Sequence, residues 1–182
     1  IAIMLFLLLF MVRTSLLDEW RAQLPEGAPN HFVINIAGDE VAPIGELLSD
    51  GAIASEPLYP MVRARMVAIN GERLGQDGDD GRPQRESNLT WSEVVPPGND
   101  IVDGALWPAG SRESLVSVEQ GYAERYGLGV GDTLEFVIGS EPLTAKVASI
   151  RRLDWGTMQP NFFLVFPTGV IEDYAATFMT SF

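Results

Sequence analysis

The chain has no cysteine, one lysine and one histidine in 182 residues. Without cysteine it makes neither disulfides nor thiolate metal sites, and its redox compartment is not readable that way. Lys146 stands in no P-loop motif, so the chain does not hydrolyse ATP by itself. Bases are scarce altogether, 12 against 25 acids, for a formal charge of −13. Phosphate backbones are held by clustered Lys and Arg, so nucleic acid is not an expected partner. A Ser-His-Asp triad would have to use His31, yet no G-x-S-x-G elbow occurs, and a lone histidine is more often structural. With neither a nucleophile motif nor a ligand cluster, no catalytic residue, cofactor or metal site is expected.

Several weaker patterns fail on spacing. Asp77, Asp79, Asp80 and Glu86 invite a calcium reading, but Gly81 stands where the fifth position needs an acid or Asn, and the bidentate acid should lie two residues beyond Glu86. A solvated acidic loop is the better account. Gly127, Gly129 and Gly131 imitate a dinucleotide fingerprint, but Asp132 replaces the third glycine and a helix precedes them. Asn88-Leu89-Thr90 is a glycosylation acceptor only in a eukaryotic cell. Trp91, Trp107, Trp155 and Tyr59-Pro60-Met61 could form a greasy binding surface, although filling small cores is the commoner use of such residues.

What the chain does have is an unbroken apolar run, Ile1 to Val12, followed by Leu16, Leu17, Trp20 and Leu24 at helical spacing. A span needs about 20 apolar residues. The run therefore reads as the outer end of a membrane helix, with its remainder upstream, running on as an amphipathic stalk. A secretory signal is disfavoured because no basic leader precedes the run and Arg13 follows Val12 directly. A buried core helix is the alternative. The few bases beside the span, Arg13 and Arg21, point to the periplasmic or extracellular side.

Beyond the breaker cluster Pro25 to Asn30, HFVINIA predicts a buried strand, Val41 to Leu48 a helix capped by Gly38 or Asp39, and Met61 to Ile69 a strand with one wet face. Strand, helix and strand suggest a ferredoxin-like split unit. Gly71 to Gln84 is an acidic loop. Asn88 to Val95 is a short strand candidate, Ile101 to Trp107 leads into a turn at Pro108 to Gly110, and Leu115 to Val118 precede a helix from Glu119 to Tyr126 stopped by Gly127, before a hairpin turning at Gly139 and Ser140. Phe162 to Phe166 predicts another strand, 168–174 a short helix and 176–182 a last strand. The expected class is α+β. The membrane end and stalk occupy 1–24, a ferredoxin-like α+β subdomain begins over 30–70, a small β-rich subdomain is inserted over 71–159, and the α+β subdomain resumes over 160–182.

Longer runs carry a family resemblance. Leu16-Leu17-Asp18-x-Trp20 leading to Gln23-Leu24-Pro25, Pro29-Asn30-x-Phe32 with Ile34-Asn35-Ile36-Ala37, and Tyr59-Pro60 with Val62-Arg63 and Ala68-Ile69-Asn70 belong together. So do Arg85-Glu86-x-Asn88-Leu89-Thr90-Trp91, the stretch from Val116 through Gly131-Asp132-Thr133, and Pro160-Asn161-Phe162-Phe163 with Phe166-Pro167. Together they resemble an FtsX-like ABC transporter permease with a MacB-like periplasmic core domain. The resemblance implies a stalk rising from the bacterial inner membrane, and a further helix, strand and membrane helix beyond Phe182. It implies a separate ABC ATPase subunit whose closure is transmitted through the stalk, and expulsion or extraction of hydrophobic, lipid-like cargo. A periplasmic esterase of the lysophospholipase type is an implied partner. The family places no catalytic residue in this segment. Leu16, Leu17, Trp20 and Leu24 are the stalk-packing candidates. The rival readings are a passive docking or ligand-binding module and, with no motif behind it, a membrane-anchored hydrolase.

Overall fold

The computed structural model describes residues 2–23 (side chains over 3–16), 29–75, 84–154 and 160–182. The apolar run forms helix α1, Ala2–Gln23. Along it every side chain from Ile3 to Leu16 is exposed. Thr14, beyond the apolar run, satisfies its hydroxyl within the helix by donating to Phe10 O at 2.8 Å. No helix among the described residues is long and apolar enough to cross a membrane.

Strand β1, Phe32–Ile36, leads through a 3-10 turn, Gly38–Glu40, into helix α2, Val41–Asp50. The turn is held by neither expected cap. The Glu40 carboxylate instead accepts Ala37 N–H at 3.0 Å. Strand β2, Tyr59–Ile69, is long, and its Asn70-Gly71 turn opens the two-residue β3, Glu72–Arg73. Then come β4, Glu86–Trp91, β5, Asn99–Gly104, and β6, Leu115–Glu119. Helix α3, Gln120–Tyr126, starts where Glu119 accepts Gly121 N–H and Tyr122 N–H, at 2.8 and 2.7 Å, and stops at Gly127 in the left-handed region (φ 66°). The hairpin of β7, Thr133–Ile138, and β8, Glu141–Leu153, turns at Gly139 and Ser140, as its alternation predicts. Strands β9, Leu164–Phe166, and β10, Thr177–Ser181, complete the body.

Six strands close into a barrel in the order β2-β4-β9-β6-β8-β7, because β7 pairs with β8 on one side and β2 on the other. Alternate residues point inward. Val62, Ala64 and Met66 of β2, Leu89 of β4, Val116 and Val118 of β6, Leu134 and Phe136 of β7, Ala145 and Val147 of β8, and Leu164 and Phe166 of β9 fill the interior, with Tyr122 and Tyr126 of α3. The closure is clamped at the foot of β2. Asn70 donates to Asp132 Oδ1 at 2.9 Å and accepts Thr133 N–H at 2.8 Å, while Asp132 Oδ2 accepts Gly129 N–H. The Gly-Asp-Thr turn thereby fixes where β7 meets β2.

Three expectations need correction. The class is α+β with strands dominating, but the sheet does not confirm a separate ferredoxin-like unit. β1 and β2 do run parallel with β10 antiparallel between them, yet β2 continues into the barrel, and β9 pairs with β4 and β6. β1 is also not a buried strand. It has β10 as its only strand neighbour among the described residues, Phe32 and Ile34 remain exposed, and only Ile36 is buried. Finally, 168–174 forms turns instead of a helix, because Gly169 takes a left-handed φ of 88° that ends any helical run.

Candidate functional site

The barrel's outer face carries a buried row that crosses four strands. Thr90 of β4 pairs with Val165 of β9, Val165 with Ser117 of β6, and Ser117 with Ser149 of β8. All four are buried. Their neighbours in sequence, Leu89, Leu164 and Val118, point into the barrel, so strand alternation sends this row to the opposite side. The Ser117 and Ser149 hydroxyls share a 2.6 Å hydrogen bond.

Arg151, two residues along β8, lies on the same face and is fully buried. Its Nε donates to Ser117 Oγ at 2.9 Å, Nη2 to Phe162 O at 3.1 Å, and Nη1 to Asn99 Oδ1 of β5. Weaker contacts at 3.4 Å run from Nη2 to the carbonyls of Ser117 and Phe163. These partners are all neutral. Burial pulls the guanidinium down to about 10, against the opposing pull of the Glu119 charge, so it stays protonated at neutral pH. Arg152, pointing the other way, makes an exposed 3.2 Å ion pair with Asp100, worth little in solvent.

Against this face lies a pocket of about 270 Å³. Tyr59, Trp91, Phe162 and four prolines form its apolar walls, and Thr90, Arg151 and the acid Glu56 also line it. The Tyr59 hydroxyl donates to Glu56 Oε2 at 3.2 Å, and burial, with the Glu56 charge adding to it, raises that phenol to about 12. The Thr90 hydroxyl is buried and has no hydrogen-bond partner among the described residues. An apolar cleft with a few convergent polar groups is the usual form of a small-molecule site. Nothing in it resembles a nucleophile with its base, and among the described residues no three His, Cys, Asp or Glu gather as a metal would need.

The stalk candidates are elsewhere. Leu16 is exposed on α1. Leu17 and Trp20 lie on α1 with side chains outside the described set, and Leu24 lies outside the described residues. His31 stacks on Phe182 at 5.3 Å between ring centroids. Among the aromatic candidates, Trp107 is buried with Met61, Phe162 and Val165, whereas Trp91 and Tyr59 are half-buried and line the pocket. Trp155 and the loop acids Asp77, Asp79 and Asp80 fall outside the described residues, and Glu86 is exposed on β4. Sequence reasoning missed Arg151, Thr90 and Asn99. The available signal was the Arg151-Arg152 pair in a strand, since alternation must turn one of the two inward.

No protein-family model matches the chain. A crystal structure of a permease-protein domain from Porphyromonas gingivalis superposes with a TM-score of 0.43 at 11% identity, covering 87% of this chain and 76% of that one, which is too distant to carry an argument. All 182 residues align at 41% identity with the protein named as the uncharacterized ABC transporter permease YbbP of Escherichia coli strain K12. The chain spans 22% of that relative's length. Along its whole length, the chain is therefore related to one segment of a YbbP-like ABC transporter permease.

Proposed function

We propose that the chain is the periplasmic segment of an inner-membrane ABC permease, and that it passes ATP-driven motion from the membrane to a hydrophobic, lipid-like cargo. The observation that carries this reading is the 41% identity to a permease over every residue. In it, ATP is hydrolysed by a separate ATPase subunit, since this chain has no nucleotide motif. Residues 1–24 are the outer end of a membrane helix prolonged as a stalk. A helix the length of α1 is about 33 Å long. Because packed elements move as bodies, a small tilt at one end becomes a larger displacement at the other. Leu16, Leu17, Trp20 and Leu24 fall within about 100° of helical arc, a stripe suited to a partner helix. A periplasmic esterase of the lysophospholipase type would receive the cargo. In the intact transporter, Trp20→Asp should leave ATP turnover running while cargo movement fails. Transport at the unmodified rate would sink the lever reading.

The pocket beneath Arg151 favours a second reading, a docking or ligand-binding module with no part in force transmission. Purifying the full-length protein from membranes separates the two. A co-purifying ATPase supports the first, and its absence the second.

A further inference from the structure

Two hydrogen-bond donors at the pocket wall are unmet among the described residues. The Thr90 hydroxyl is one, buried to 3% exposure with no partner. Such a group costs free energy unless something pairs with it. The other is on Arg151. A guanidinium has five N–H groups. Nε uses one and Nη2 directs two at backbone carbonyls, whereas Nη1 has two and, among the described residues, a single partner, Asn99. One Nη1 N–H is left over, on a buried cation whose partners are all neutral.

We propose that this pocket binds a carboxylic acid with a compact apolar body, its carboxylate taking the Thr90 hydroxyl and the free Arg151 N–H. A carboxylate supplies acceptors only and would set a negative charge in direct contact with Arg151, whose hydrogen-bond partners are neutral; the Glu119 charge acts on it without a hydrogen bond, and Glu56 on the pocket wall accepts the Tyr59 hydroxyl. An amine would add a second cation beside the first. The walls define the rest of the molecule, because Trp91, Tyr59 and Phe162 with four prolines present flat apolar surfaces that suit an aryl or short acyl group. The volume of about 270 Å³ suits a compact ligand better than a full-length diacyl lipid. Arg151 is already positioned by Ser117, Asn99 and Phe162, so binding need not order a free side chain. This inference concerns the pocket alone and does not rest on the permease reading.

Phenylbutanoate is a suitable probe, with phenylbutylamine as the matched cation, titrated by calorimetry into the 182-residue chain. The acid should bind at least about tenfold more tightly than the amine, as expected for one charge-assisted contact. Thr90→Val keeps the shape and removes the unpaired hydroxyl. Its midpoint of thermal unfolding should be equal to or above that of the parent, while affinity for the acid falls about tenfold. Thr90→Ser retains a hydroxyl and should bind like the parent, so a folding defect in one variant does not decide the matter. Equal binding of acid and amine, undiminished binding by Thr90→Val, or no binding of the acid at millimolar concentration would each overturn the proposal.

Discussion

Gly104, the last residue of β5, offers a test of how tightly this strand is seated. Its φ is 72°, and a Cβ there would sit inside van der Waals contact with Ala148 O, 3.0 Å from Val130 Cγ2 and 3.1 Å from Ser149 Cα. Two of those neighbours are backbone of β8, which cannot rotate away. Gly104→Ala therefore adds two costs. The left-handed backbone costs an L-residue about 1–2 kcal/mol. Pushing β5 off β8 adds about 1–3 kcal/mol of overpacking and weakens the 3.2 Å bond from Ala105 N–H to Ala148 O. The control is Gly127, at φ 66° with nothing within 4 Å of its Cβ, where only the first cost applies. The two variants should thus differ by about 1–3 kcal/mol in unfolding free energy, with Gly104→Ala the weaker. Urea unfolding followed by tryptophan fluorescence, under one set of conditions, measures the difference directly. If both variants lose the same stability, β5 does not approach β8 as described. The seating of Asn99 on Arg151 would then be in doubt as well, because β5 carries Asn99.

Two further outcomes follow from other contacts. Glu119→Ala removes the acceptor for two N–H groups at the start of α3 and should cost about 1–2 kcal/mol in the same unfolding assay. At alkaline pH the buried phenols dominate. Burial raises Tyr59 to about 12, with the Glu56 charge contributing, and raises Tyr122 to about 12, with a hydrogen bond to Ser87 opposing. Their folded values exceed the ordinary value of 10.0, so the stability they contribute is complete below pH 10 and is lost as pH rises through about 12. Arg151, displaced downward to about 10, works oppositely. Its burial costs stability at neutral pH, and the cost is relieved as it deprotonates above pH 10. With two phenols against one guanidinium, stability should fall across this window. Native phenolate absorbance should show a step near pH 12 that shrinks in Tyr59→Phe and in Tyr122→Phe; titration of both phenols near pH 10 would show that they are not buried.

What the sequence decided by itself is local. The apolar run forms α1 because every residue from Ala2 to Val12 is helix-compatible and no breaker intervenes. The β7–β8 hairpin forms where alternation meets Gly139-Ser140, and α3 is bounded by Glu119 and Gly127, which satisfy its ends. Only tertiary structure decided the rest. β4 pairs with β9 across more than seventy residues and β7 closes the barrel onto β2, pairings that no periodicity within one segment encodes. For the same reason a ferredoxin-like unit looked separable from the β-rich stretch, because the text cannot show that β2 is shared. Arg151 marks the limit most sharply. Alternation says that one of Arg151 and Arg152 turns inward, but which one depends on parity. Parity along β8 is reset by the extra residue Ala148, which lies between the pairs Val116–Val147 and Ser117–Ser149. That bulge exists only once β6 lies beside β8. It places Arg151 on the buried outer face and leaves Arg152 in water, and with that choice it sets the chemistry of the pocket.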